Sequence, residues 1–130
     1  ESGVAEVAAL KATDEQICRL EKNYERMRRH VEALSQFVYT DLDFHMLVSA
    51  CTQNTLAVQI FNSYEGLLGP SILHMTEAIG VGNGLKYHGL ILDAVRSHDP
   101  QRARAVMQEH MEDNMERFKR FLKINRKTGT

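Results

Sequence analysis

The feature that most limits the fold of this chain is a spacing of three and four residues between apolar side chains, clearest from Leu34 to Cys51. Leu34, Phe37, Phe44, Val48 and Cys51 keep that spacing, which brings them onto one face only in a helix. Asp41 and His45 fall in the same stripe. On a helix a carboxylate and an imidazole four residues apart lie one turn apart, so they can hold one ion between them. Asp43 lies about 160° from His45 in projection and is expected to face water.

The same spacing recurs along the chain, and no stretch alternates like a strand for long enough to compete. A first helix covers about Ser2 to Ala12. Thr13 and Gln16 form a capping-box pattern that opens a second, with Ile17, Leu20, Tyr24 and Met27 as its buried stripe up to about Arg29. Its Arg19, Lys22, Arg26, Arg28 and Arg29 read as a solvated face. The third helix runs from about Glu32 to Cys51. Asn54 caps a fourth, about Thr55 to Ala78, in which Gly69-Pro70 predicts a kink or break. Gly80, Gly82 and Gly84 predict a loop, and Leu85, His88, Leu92 and Val95 the stripe of a fifth helix. Asp99 and Pro100 open the last, whose stripe is Ala103, Val106, Met107, His110, Asn114, Phe118 and Phe121. The expected class is all-α, an antiparallel bundle of about six helices with a kinked or broken fourth, and residues 1–130 are expected to form one domain.

Composition narrows the function. The 130 residues are 43% hydrophobic and 25% charged, and no apolar run approaches the roughly 20 residues of a membrane helix. A cytoplasmic protein is expected. With a formal net charge of −1, and basic residues clustered only at the ends of the second helix and in the C-terminal tail, the chain is a poor match for nucleic acid by itself. Cys18 and Cys51 both fall at apolar helical positions and read as reduced, buried thiols. The chain opens inside a helix without an initiator Met, which is expected of a piece of a longer protein.

The chemistry lies in the histidines. His30 and His98 read as exposed, whereas His45, His88 and His110 each fall on the apolar stripe of a different helix. Any one of them alone reads as a core histidine. Three of them with Asp41 in register point to a divalent cation, because a buried unpaired carboxylate costs several kcal/mol that an ion removes. The chain has no His-Glu-x-x-His, no Cys-x-x-Cys and no pair of Glu-x-x-His helices. One oxygen and three nitrogens suit zinc foremost, then nickel, manganese or iron, and an octahedral ion keeps two positions open. Affinity is expected to fall below about pH 6, where free imidazole protonates.

These residues resemble a family. Asp41-x-x-Phe44-His45, then Asn54, then His88 with Ile91, Ala94 and Asp99 behind it, then Ala103 to His110, are similar to the effector-binding FCD domain of GntR-type transcription regulators of the FadR group. The run Ala8-Ala9-Leu10-Lys11-Ala12-Thr13 resembles the end of that domain's first helix. The resemblance implies that Asp41, His45, His88 and His110 are the ligands and that a carboxylate-bearing metabolite completes the coordination inside the bundle. It also implies a homodimer, and DNA binding only through a winged helix-turn-helix domain ahead of residue 1. The chain departs from the pattern in having Gly89 where a basic residue often follows the ligand, and in lacking lysine and arginine between Arg29 and Lys86. His74, Asn114 and Asn54 are the further candidates for contact with the effector.

Three classes of function follow. The preferred one is a metal-dependent sensor domain for a small organic acid, with no enzymatic activity. A hydrolase or oxygenase using the same site is the alternative, with only His74, Glu65 and Glu77 on offer as a general base. A plain helical dimerisation module is the third.

Overall fold

The computed structural model describes residues 1–128, apart from the side chains of residues 68, 79, 125, 127 and 128. It consists of six helices: α1 (Ser2–Lys11), α2 (Asp14–Arg29), α3 (Leu34–Ala50), α4 (Thr55–Ile79), α5 (Gly82–Arg96) and α6 (Pro100–Thr128). No strand occurs among the described residues, so the all-α bundle expected from the periodicity is the fold.

The small side chains of α1 organise the packing. Ala5, Ala8 and Ala9 are fully buried, and with only a methyl group at each position α1 approaches α6, α3 and α5 closely. α2 rests on α3 and α5, and α4 on α3 and α6. One apolar cluster fills the centre, built from Leu20, Met27, Phe37, Phe44, Val48, Ile91, Val95 and Met107 with the α1 alanines.

Local chemistry sets the ends of the helices. Thr13 Oγ1 accepts the Gln16 amide at 3.1 Å while Gln16 Oε1 accepts the Thr13 amide at 3.0 Å, the reciprocal capping box. Asn54 Oδ1 accepts from the amides of Leu56 and Ala57 and starts α4, and Asp99 Oδ1 does the same for Arg102 at the head of α6.

The structure corrects several expectations. α4 runs unbroken through Pro70. The proline deprives only the Gly66 carbonyl of a partner, and both residues lie on an exposed face where water can replace that bond. The three-glycine loop shrinks to Gly80 and Val81, because Gly82 and Gly84 already belong to α5. Of these three glycines only Gly80 has positive φ, at 86°; Gly84 instead lets Phe37 approach to 3.4 Å of where a Cβ would stand. Cys18 is exposed, while Cys51 is buried as expected.

Asp43 faces outward as expected, its side chain 38% exposed, but it is also tied to α2. Its Oδ2 accepts from Asn23 Nδ2 at 3.1 Å and lies 3.5 Å from Arg26. Asn23, absent from the expected α2 stripe, is fully buried, whereas Tyr24 is half-buried and donates to the Leu85 carbonyl at 2.9 Å. Asn23 Nδ2 also donates to the Thr40 carbonyl at 3.1 Å, so a single side chain fixes the rotation of α3 against α2. Asn23→Ala should therefore lower the unfolding free energy by about 2 kcal/mol, with a smaller loss for Asp43→Asn, which keeps an acceptor oxygen. Urea denaturation checks this; wild-type stability in Asn23→Ala would show that these bonds do not set the register of α3.

Candidate metal centre

Three helices deliver the four candidate side chains to one end of a shared cluster. Asp41 and His45 come from successive turns of α3, His88 from the middle of α5 and His110 from α6. Asp41 Oδ1 lies 3.0 Å from His88 Nε2 and 3.6 Å from His45 Nε2, and the two Nε2 atoms are 3.2 Å apart. His45, His88 and His110 each offer a ring nitrogen within 4.8 Å of the others. Asp41 therefore meets His45 and His88, while His110 joins the cluster through the other two imidazoles.

The surroundings are largely apolar, although the Asp41 side chain keeps 23% of its surface exposed. His88 is fully buried and His110 nearly so. Phe44 stacks on His88 with centroids 4.1 Å apart, Phe61 of α4 lies parallel to His45 at 5.9 Å, and Tyr87 flanks His110 at 4.9 Å. Within that sleeve hydrogen bonding is incomplete. Among the described residues four buried side-chain polar atoms lack an aligned hydrogen bond, and three of them, Asp41 Oδ1, His88 Nδ1 and His110 Nδ1, belong to this cluster.

Charge is distributed unevenly over the cluster. Burial pushes His45 towards neutrality, but the Glu1 and Asp41 carboxylates outweigh it and raise the imidazole to about 10. Burial likewise favours protonated Asp41, and the facing His88 and His45 reverse that, holding the carboxyl well below its usual range. His110, desolvated and next to two other imidazoles, is lowered to about 3. His88 is lowered as well, chiefly by burial. At neutral pH and without an ion, one imidazolium at His45 sits between two carboxylates, flanked by two neutral rings.

That arrangement can accept an ion. Ligand atoms about 2.1 Å from a metal stand about 3.0–3.4 Å apart at octahedral or tetrahedral angles, close to the 3.0, 3.2 and 3.6 Å separations among Asp41, His45 and His88, while His110 offers a nitrogen within 4.8 Å of the other two rings. A carboxylate and neutral imidazoles are also the donor set that borderline divalent metals take.

The other candidates lie differently. His74 is exposed on α4, 3.8 Å from Glu77 and edge-on to Phe121. Asn114 is half-buried one turn beyond His110. Asn54 has its side-chain oxygen engaged in capping α4. His98 is exposed as expected and donates from Nδ1 to the Ala9 carbonyl at 2.9 Å, whereas His30 is half-buried, 3.3 Å from Thr40 Oγ1.

One residue at the site escaped the sequence reading. Glu1 Oε2 lies 3.2 Å from His45 Nδ1, on the far side of the ring from Asp41 and His88. A signal for it was present, since Glu1 keeps helical phase with the buried Ala5, Ala8 and Ala12. An acid at the head of a stripe of buried alanines must meet a partner inside the fold.

The HTH-type transcriptional repressors NanR of Escherichia coli (strain K12) and of Shigella flexneri are each 31% identical to this chain over 114 residues, covering 85% of it and 43% of their own length. The repressor of the same description from Cronobacter sakazakii (strain ATCC BAA-894) is 31% identical over 114 residues, with 44% of its length covered. The chain thus spans less than half the length of these relatives. The model of the FCD domain matches residues 1–113, and with that match over most of its length the chain belongs to the FCD domain family.

Proposed function

We propose that this chain is the sensor domain of a GntR-type transcription regulator, that Asp41, His45, His88 and His110 hold one divalent transition metal, and that a small carboxylate metabolite completes the coordination. The observation that carries the reading is the convergence of Asp41 Oδ1 with the Nε2 atoms of His45 and His88 within 3.0–3.6 Å, inside a buried cluster with unpartnered polar atoms. Zinc is the first choice for one oxygen and three nitrogens, ahead of nickel, manganese and iron. The regulator reading is favoured over a hydrolase or oxygenase because the relatives are described as transcriptional repressors. His74, moreover, is on the surface with Glu77 rather than poised beside the cluster.

DNA binding belongs in this reading to a winged helix-turn-helix domain ahead of residue 1, and the whole regulator works as a homodimer in the cytoplasm. Leu56, Ile60, Tyr64 and Leu67 support the dimer, since they leave an exposed apolar stripe along α4 for a second copy to cover. No helix among the described residues is long and apolar enough to cross a membrane.

The acid is held through the metal. α3 and α4 carry no lysine or arginine, so the metal is the main positive charge that an anion meets on that side of the bundle. Asn114 is the side chain best placed to orient a bound acid; His74 and Asn54 would reach one only after leaving their present partners. Calorimetry on zinc-loaded and chelator-stripped protein tests this. A 2-hydroxy acid should bind the loaded form more tightly than a monocarboxylate of equal size, and stripping should abolish both. Full affinity in stripped protein would put the anchor on a side-chain cation, with Arg117 of α6, two turns past His110, the first to replace.

The charge state of the cluster moves the expected pH window. With His45 raised to about 10 in the metal-free protein and His110 already neutral above about 3, metal binding at neutral pH displaces one proton, from His45. A group whose proton is lost on binding gives an affinity that rises with pH until its own pKa is passed. Apparent zinc affinity should therefore climb about tenfold per pH unit between about pH 6.5 and 8.5, not level off near 6.5 as for free imidazoles. Competition with a chelator of known proton affinity measures the slope, and a flat profile over that range would contradict the protonated His45.

A further inference from the structure

We infer that Glu1 is a positioning residue of this centre: its carboxylate accepts the Nδ1 proton of His45 and so leaves Nε2 of the same ring, which faces Asp41 and His88, as the nitrogen that would give up its proton to an ion. The inference rests on the metal-site reading above and adds a residue to it. An imidazole that ligates through one nitrogen must carry its proton on the other, and a buried N–H needs an acceptor. His45 meets both conditions, with its side chain 11% exposed, Nδ1 3.2 Å from Glu1 Oε2, and Nε2 3.2 Å from His88 Nε2 and 3.6 Å from Asp41 Oδ1.

The other two rings differ. His88 and His110 have buried Nδ1 atoms without a hydrogen-bond partner, so among the described residues Glu1 is the only carboxylate behind a ring of the centre. Two features of the fold hold it there. Glu1 is the N-cap residue of α1 and its carbonyl accepts from the Ala5 amide at 2.9 Å, and the alanines that follow in phase pack α1 against α3. A carboxylate hydrogen-bonded to a ligating histidine fixes its tautomer and orientation and makes it a better donor, and losing one weakens metal binding by about 10–100-fold.

The test uses the chain as its gene encodes it, so that Glu1 keeps its natural neighbours, with zinc ions as the probe and a chromophoric chelator as competitor. Glu1→Ala should weaken zinc binding by about 10-fold or more, and Glu1→Gln, which keeps an acceptor oxygen, by less. Glu6→Ala, which removes the exposed ion pair with Arg104 on the same helix, should leave it unchanged. In zinc-loaded wild type a protected Nδ1 proton of His45 should be visible by NMR and should disappear in Glu1→Ala. A Glu1→Ala protein that binds zinc within twofold of wild type and keeps that proton signal would overturn the role of Glu1 while leaving the metal centre standing. A wild-type protein that takes up no zinc would overturn both.

Discussion

A carboxylate inside an apolar bundle is the constraint on which the rest of this structure turns. Asp41 is only partly exposed, and the facing imidazoles of His88 and His45 hold its carboxyl well below the usual range. Removing a carboxylate from water costs several kcal/mol unless charge or hydrogen bonds replace the solvent, so α5 must bring His88 to within 3.0 Å of it. His45 in turn lies between Asp41 and Glu1, which fixes how α1 sits on α3. The metal-free fold meets the demand with one proton on His45, and a divalent ion would meet it with twice the charge.

The packing that makes this possible is built from small and flat side chains. Alanines on α1 let three helices close around it, and Phe44, Phe61 and Tyr87 present ring faces to the imidazoles. Aromatic faces exclude water without competing for the ring nitrogens, so the field of each carboxylate stays strong. On the other side of α3, Asn23 ties the helix to α2 through the Thr40 carbonyl and Asp43. These two bonds flank Asp41 in sequence and hold the rotation that aims Asp41 inward.

Much of this was legible in the sequence, and the residues that were not share a cause. Helical phase found the inward faces of α3, α5 and α6, hence Asp41, His45, His88 and His110, because burial of an amphipathic stripe depends on spacing alone. Phase does not say what covers the opposite face. Asp43 faces outward as expected, but its tie to α2 went unread because α3 was treated as having one covered side, whereas α1, α2 and α4 all pack on it. Glu1 stood one turn before the first alanine that marks the buried face, where a short helix gives little periodicity to read. Pro70 was expected to kink or break α4, and no break occurs because the carbonyl it deprives faces solvent. Cys18 was expected in the core and lies just outside the face that Ile17 and Leu20 bury. How the stripes align in height, which brings the four side chains together, came from resemblance to a family and from no rule of spacing.

The central claim is that these four side chains form one metal site. Crystals of zinc-loaded protein, with diffraction recorded on either side of the zinc absorption edge, test it most directly. The account predicts one anomalous peak per chain, about 2.0–2.2 Å from an Asp41 oxygen and from one nitrogen each of His45, His88 and His110. A peak at the exposed His74 and Glu77 or at Cys18, with Asp41 and the three buried rings packed against one another as they are here, would contradict it.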